Sequence, residues 1–183
     1  GVALRTGIDE FNKTTRDIPD YSELMDFRLD VMRSNNLKLS DIQEASSELE
    51  LLPGAYNFLQ KIRQNFQVVI LSDTFHEIAK PLMEKMGFPL LLCHNLDVVN
   101  DEIISYELRN KKAKKQAIES FQSIGYRCLA AGDSYNDLQM FEVAEKSFFI
   151  NAPDKISSSY PEIPSFDNYI DLENDLSQAF TNI

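Results

Sequence analysis

The sequence predicts an α/β fold: a parallel sheet flanked by helices, with a small helical cap in its first third. Three observations predict it. Between residues 66 and 150, short apolar runs alternate with segments of helical period, and such alternation builds a parallel sheet with helices on both faces. Residues 1–50 carry helical spacing instead. The 183 residues, 43% of them hydrophobic, suit one domain with a real core, since domains cluster at roughly 100–200 residues.

The elements follow in order. A polar turn, Asp17-Ile18-Pro19-Asp20, precedes a helix from Tyr21 to Asn36 whose apolar stripe is Tyr21, Leu24, Met25, Leu29 and Met32. A shorter helix runs from Ser40, as N-cap, to Leu49. Pro53-Gly54 turns the chain into a helix ending near Gln64. Gln67–Leu71 (QVVIL) reads as a strand buried on both faces. The helix from Phe75 to Met86 opens on a Thr74/Glu77 capping box and contains Pro81, a kink site. Leu90–Cys93 is a strand, and Leu96–Val99 with Ile103–Leu108 forms a hairpin around Asn100-Asp101-Glu102. Then come a helix at Lys111–Ile124, a strand at Arg127–Ala131 (RCLAA), a helix at Ser134–Ala144, a strand at Ser147–Ile150 and a closing helix near Asn168–Phe180.

Composition narrows the function. Against 18 basic side chains stand 29 acidic ones, a net charge of −11. That excludes a general nucleic-acid binder, which needs a phosphate-neutralising basic surface, and disfavours an anionic membrane surface as partner. No stretch approaches the ~18 apolar residues of a membrane span, so a cytoplasmic protein is expected. Cys93 and Cys128 sit in apolar runs and read as buried free thiols. His76 and His94 belong to no nucleophile–base arrangement, and neither GxxxxGK[ST] nor GxGxxG occurs.

In open α/β sheets the ligand lies beyond the carboxyl ends of the strands. Chemistry is therefore sought at Ser72-Asp73-Thr74, after QVVIL, and at Gly132-Asp133-Ser134, after RCLAA. Asp133 is the candidate ligand for a hard cation, because Mg²⁺ takes oxygen donors and commonly one or two protein carboxylates. Asp137 reads equally as a second carboxylate and as the capping-box partner of Ser134. Ser72 suits a phosphate cradle or an ordinary turn, and Asp73 a ligand contact or a helix cap. Lys114 shares the inward stripe of Ile118 and Phe121, with Lys111 as rival one turn earlier. Arg28 falls inside the apolar stripe of the first long helix, either snorkelling at its edge or clamping a carboxylate.

Leu71-Ser72-Asp73-Thr74, Lys114 in AKKQAI, and GDSYND from Gly132 to Asp137 resemble the second, third and fourth motifs of the haloacid dehalogenase-like phosphohydrolases, with 19 residues from Lys114 to Asp133. Arg28 and the stretches TTRDIPDY, KLSDIQE, FQVVILSDTF, LLCHNL and AAGDSYND are similar to the phosphoserine phosphatase branch. They are closest to its enzymes that also act as phosphoserine:homoserine phosphotransferases. The resemblance implies a Rossmannoid core at residues 51–183 under a helical cap at residues 1–50. It implies a small-molecule substrate, phosphoserine, hydrolysed through an aspartyl phosphate, with water or homoserine as acceptor. It also implies Mg²⁺ on Asp133, Ser72 and Lys114 at the phosphoryl group, and Arg28, Ser72, Asp73 and Asn136 at the substrate, with Asp137 in support. The family's first motif, an apolar strand ending in Asp-x-Asp or Asp-x-Glu, has no match here. The opening GVALRTG reads as the end of a helix already under way, so that motif is expected ahead of Gly1. Two other readings stay open: a phosphatase for another small phosphomonoester, and a non-catalytic domain that binds phospho-ligands.

Overall fold

The computed structural model describes residues 7–13, 17–18, 20–109 and 112–181. After a 3₁₀ turn at Asp9–Asn12 come α1 (Tyr21–Ser34), α2 (Leu39–Ser47), α3 (Ala55–Ile62), β1 (Val69–Phe75), α4 (His76–Lys85), β2 (Leu90–Val99), β3 (Glu102–Glu107), α5 (Ala113–Ser123), β4 (Leu129–Gly132), α6 (Leu138–Phe141), β5 (Lys146–Ile150), α7 (Asp154–Ser157), β6 (Ser165–Phe166) and α8 (Tyr169–Thr181). The strands form two sheets, ordered β1-β2-β3 and β4-β5-β6. The chain divides into two compact units, Gly1–Leu51 with Ser72–Arg109 and Leu52–Leu71 with Asn110–Ile183, so the boundary falls within β1. No helix among the described residues is long and apolar enough to cross a membrane.

In the first unit, α1 starts because the Asp20 carboxylate accepts from the Ser22 and Glu23 amides at 2.9 and 3.1 Å. Its buried stripe, Leu24, Met25, Leu29 and Met32, packs with Phe75, Leu96 and Ile103. Each such side chain contributes about 1.5–3 kcal/mol when fully buried, and this cluster fixes α1 against the sheet.

Several local expectations give way to tertiary contacts. Lys38, not Ser40, is the N-cap of α2. Ser40 is itself held by the distant Asp101, whose carboxylate accepts from its amide at 2.9 Å and its hydroxyl at 2.6 Å. The Thr74/Glu77 capping box does not form. The strand runs on through Phe75, which caps α4 with no side-chain bond, and the Glu77 carboxylate instead accepts from the Leu96 amide at 2.9 Å. The two short strands expected at Leu90–Cys93 and Leu96–Val99 are one, β2, paired antiparallel with β3. Its turn needs positive φ at both central residues, and Asn100 (+50°) and Asp101 (+69°) tolerate it. β1 is half-buried along most of its length rather than buried on both faces. Cys93 is buried and Cys128 partly so, both as free thiols.

In the second unit β4, β5 and β6 run parallel. Adjacent strand residues face opposite ways, and β5 is covered on both sides. Phe148 packs with Leu172 and Leu176 of α8, while Phe149, wholly buried, packs with Ile118 of α5 and with Met140 and Phe141 of α6. β4 thus lies in a firm layer and delivers Gly132 to its carboxyl end.

Candidate active site

The segment after β4 was expected to be a helix from Ser134 to Ala144. It is instead a 3₁₀ turn, Tyr135–Asp137, followed by the short α6. The cause is Asp137. Its Oδ2 accepts from the Asp133 amide, the Ser134 amide and the Ser134 hydroxyl, each at 3.0 Å. A carboxylate that gathers the amides ahead of it competes with helix hydrogen bonding and tightens the turn. Its Oδ1 accepts from Lys114 Nζ at 2.8 Å. The pair is secluded, with side chains 13% and 7% exposed for Lys114 and Asp137.

Asp137 therefore does not present a bare carboxylate. Of its two expected readings, second carboxylate and capping-box partner of Ser134, the structure shows the capping box, and the same side chain also fixes the Lys114 ammonium. Asp133 differs: it is exposed, and its carboxylate accepts no hydrogen bond from a described residue. Asn136 is exposed as well. Lys115 pairs outward with Glu142 at 3.1 Å, and Lys111 lies outside the described residues.

Gly132 carries a requirement that the sequence did not reveal. A Cβ there would fall 2.4 Å from Asp137 Oδ2 and 2.7 Å from its Cβ. The Asp137 side chain is short and pinned by its bonds, so it cannot move aside without breaking them. Gly132→Ala is expected to destabilise by about 1–3 kcal/mol, read as a lowered urea midpoint. A neutral substitution would show that the loop is softer than this packing implies.

In the first unit, Ser72 lies on β1, half-buried, and its Oγ accepts from the Thr74 amide at 3.3 Å. A hydroxyl used in this way keeps its own proton for donation to a ligand. The backbone carbonyl of Asp73 accepts from the Tyr21 hydroxyl. Arg28 is half-buried, with Nη2 donating to the Lys13 carbonyl at 3.1 Å, and burial lowers the pKa of its guanidinium. A charged group kept there against its desolvation suits an anionic partner.

Among the described residues no three His, Cys, Asp or Glu side chains gather into a ready-made cage. That donor set does not suit a metal held wholly by protein. It is compatible with Mg²⁺, which keeps several waters and takes one or two carboxylates, and the exposed Asp133 carboxylate could serve as one of them.

A family model described as haloacid dehalogenase-like hydrolase matches residues 2–145. The phosphoserine phosphatase ThrH of Pseudomonas aeruginosa is 46% identical over 178 residues, covering 97% of this chain and 87% of its own length. A phosphoserine phosphatase of Pseudomonas syringae pathovar tomato is 45% identical over 178 residues, covering 97% of this chain and 75% of its own. Among solved structures, a phosphoserine phosphatase in apo form matches with a TM-score of 0.73 at 18% identity, over 92% of this chain and 84% of that one. At that identity the likeness speaks for the fold.

Proposed function

The chain belongs to the haloacid dehalogenase-like hydrolases, and from that premise we propose that it serves a phosphoserine phosphatase acting through an aspartyl phosphate, with homoserine able to replace water as acceptor. The observation that carries the reading is 46% identity to a phosphoserine phosphatase across 97% of the chain. The secluded Lys114–Asp137 pair at the end of β4 supports it, since phosphoryl transfer rests on positioned positive charge.

Roles follow residue by residue from the motifs. In the second unit, the Lys114 ammonium, aimed by Asp137, neutralises phosphoryl oxygens. Asp133 would hold Mg²⁺, and Asn136 orients the substrate. When bound, Mg²⁺ supplies further positive charge to the phosphoryl group. In the first unit, the Ser72 hydroxyl donates to a phosphoryl oxygen, Asp73 faces the substrate and Arg28 binds the amino acid's carboxylate. Residues 1–50 act as the cap that excludes water while the phosphoryl group moves. The attacking aspartate of the family's first motif has no counterpart within residues 1–183.

The test is phosphate release from phosphoserine by the full-length protein with Mg²⁺, with and without homoserine. Release, and phosphohomoserine when the acceptor is present, is the expected result. Turnover confined to other phosphomonoesters would move the substrate. Binding without release would turn the chain into a phospho-ligand-binding module.

Arg28→Ala separates substrate recognition from chemistry. Loss of a charged hydrogen-bonding partner is expected to raise KM for phosphoserine roughly 10–100-fold. An aryl phosphate, which has no carboxylate to bind, should be spared. An equal loss on both substrates would make Arg28 a support of the fold.

A further inference from the structure

Besides the packing of Phe75 against the α1 stripe, Tyr21 ties the Ser72–Phe75 segment to α1 in two ways. The Tyr21 hydroxyl donates to the backbone carbonyl of Asp73, next to Ser72. Its ring lies 5.6 Å from that of His94, which lies 5.7 Å from the ring of Phe75. His94 is buried, and its Nδ1 accepts from the Arg109 amide at 2.9 Å, which fixes the imidazole between the two rings. Tyr21 opens α1, the helix that carries Arg28 two turns on. Its partner segment carries Ser72, whose Oγ is held by the Thr74 amide. Burial and the nearby Asp73 carboxylate push the Tyr21 hydroxyl up to about 12, so it remains a donor at neutral pH.

Resting on the reading above, we propose that Tyr21 is a positioning residue: its bond to the Asp73 carbonyl fixes the backbone that presents the Ser72 hydroxyl, and joins that backbone to the Arg28 helix. The sequence alone placed Tyr21 in an apolar stripe. In the structure it is an amphipathic residue whose ring packs while its hydroxyl holds a backbone carbonyl. A residue that acts through Ser72 affects every phosphomonoester, because every one presents phosphoryl oxygens to that hydroxyl. Arg28 affects only substrates that carry a carboxylate.

The experiment is Tyr21→Phe in the full-length protein, which keeps the ring against His94 and removes only the hydroxyl. The kcat/KM for phosphoserine and for p-nitrophenyl phosphate is expected to fall in parallel, on the order of tenfold, the scale of one lost hydrogen bond. Amide exchange at Thr74 and Phe75 is expected to quicken on the same scale, with exchange in α1 unchanged. Unchanged kinetics on both substrates, or unchanged exchange at those amides, overturns the inference, since a merely packing role survives in phenylalanine. If the wild type releases phosphate from neither substrate, the functional reading fails. Tyr21 is then judged by inorganic phosphate alone. Phosphate slowing exchange at Thr74 in the wild type but not in Tyr21→Phe upholds the inference, and any other result overturns it.

Discussion

Asp137→Asn is expected to cost about 3–5 kcal/mol of stability, the range seen when one partner of a buried ion pair is removed, and to abolish turnover with it. The substitution hardly changes size, so the effect is one of hydrogen bonding. The carboxylate accepts four bonds, three at Oδ2 and one at Oδ1. An amide has one oxygen. Placed at the Oδ2 position, that oxygen keeps the Asp133 and Ser134 donors and turns its NH₂ toward the Lys114 ammonium, leaving a secluded charge facing a donor. Placed the other way, it serves Lys114 and sets the NH₂ against three donors, which opens the loop. Either orientation leaves buried donors unmatched, at about 1–3 kcal/mol for each neutral group. Urea denaturation gives the stability and phosphoserine hydrolysis the activity. Lys114→Met supplies the control: with the charge gone, Asp137→Asn should cost far less than in the wild type, because contacting residues are not additive. Equal costs in the two backgrounds would show that the Lys114–Asp137 pair is not what Asp137 secures.

The parts of this fold that were legible in the sequence are those fixed by local pattern. The stripe of α1 and the polar turn before it announce the helix, because both lie within adjacent turns of the chain. QVVIL and RCLAA announce strands; the end expected at Gly132-Asp133 is where β4 stops, whereas β1 runs past Ser72 to Phe75. Expecting chemistry at Ser72 and Asp133 rests on the rule that ligands meet an open α/β sheet at its carboxyl edge. What was not legible was decided at a distance. Ser40 resembles a cap, yet Asp101, on a hairpin turn 61 residues later, bonds it instead. Glu77 fits a capping box, yet the Leu96 amide takes its carboxylate. The period after Ser134 favours a long helix, and the four acceptor bonds of Asp137 override it. β6, two residues long, is too short to leave a pattern. In the sequence Gly132 is only the residue ahead of Asp133, and its reason is the volume already filled by Asp137. Tyr21 showed its apolar character in the spacing, but its hydrogen bond to the Asp73 carbonyl spans 52 residues and no spacing encodes it.

Asp133→Asn is the counterpart of Asp137→Asn, the same change four residues earlier in the same loop, and the expected outcome is opposite in kind. The Asp133 side chain is exposed and accepts no hydrogen bond from a described residue, while its contribution to the loop is the backbone amide that Asp137 accepts. An asparagine keeps that amide, so stability should stay within ~0.5 kcal/mol of the wild type, as for a surface substitution. Activity should not survive. A neutral amide oxygen is a far poorer ligand for a hard cation than a carboxylate, and phosphoryl transfer leans on the charge at that position. Calorimetric Mg²⁺ titration should show affinity falling on the order of tenfold or more, alongside loss of Mg²⁺-dependent phosphate release, with an unchanged urea midpoint. Full activity at ordinary Mg²⁺ would remove Asp133 from the metal assignment. A large stability loss would show instead that its carboxylate belongs to the fold. Measured together, the two asparagine variants separate what builds this loop from what the loop presents.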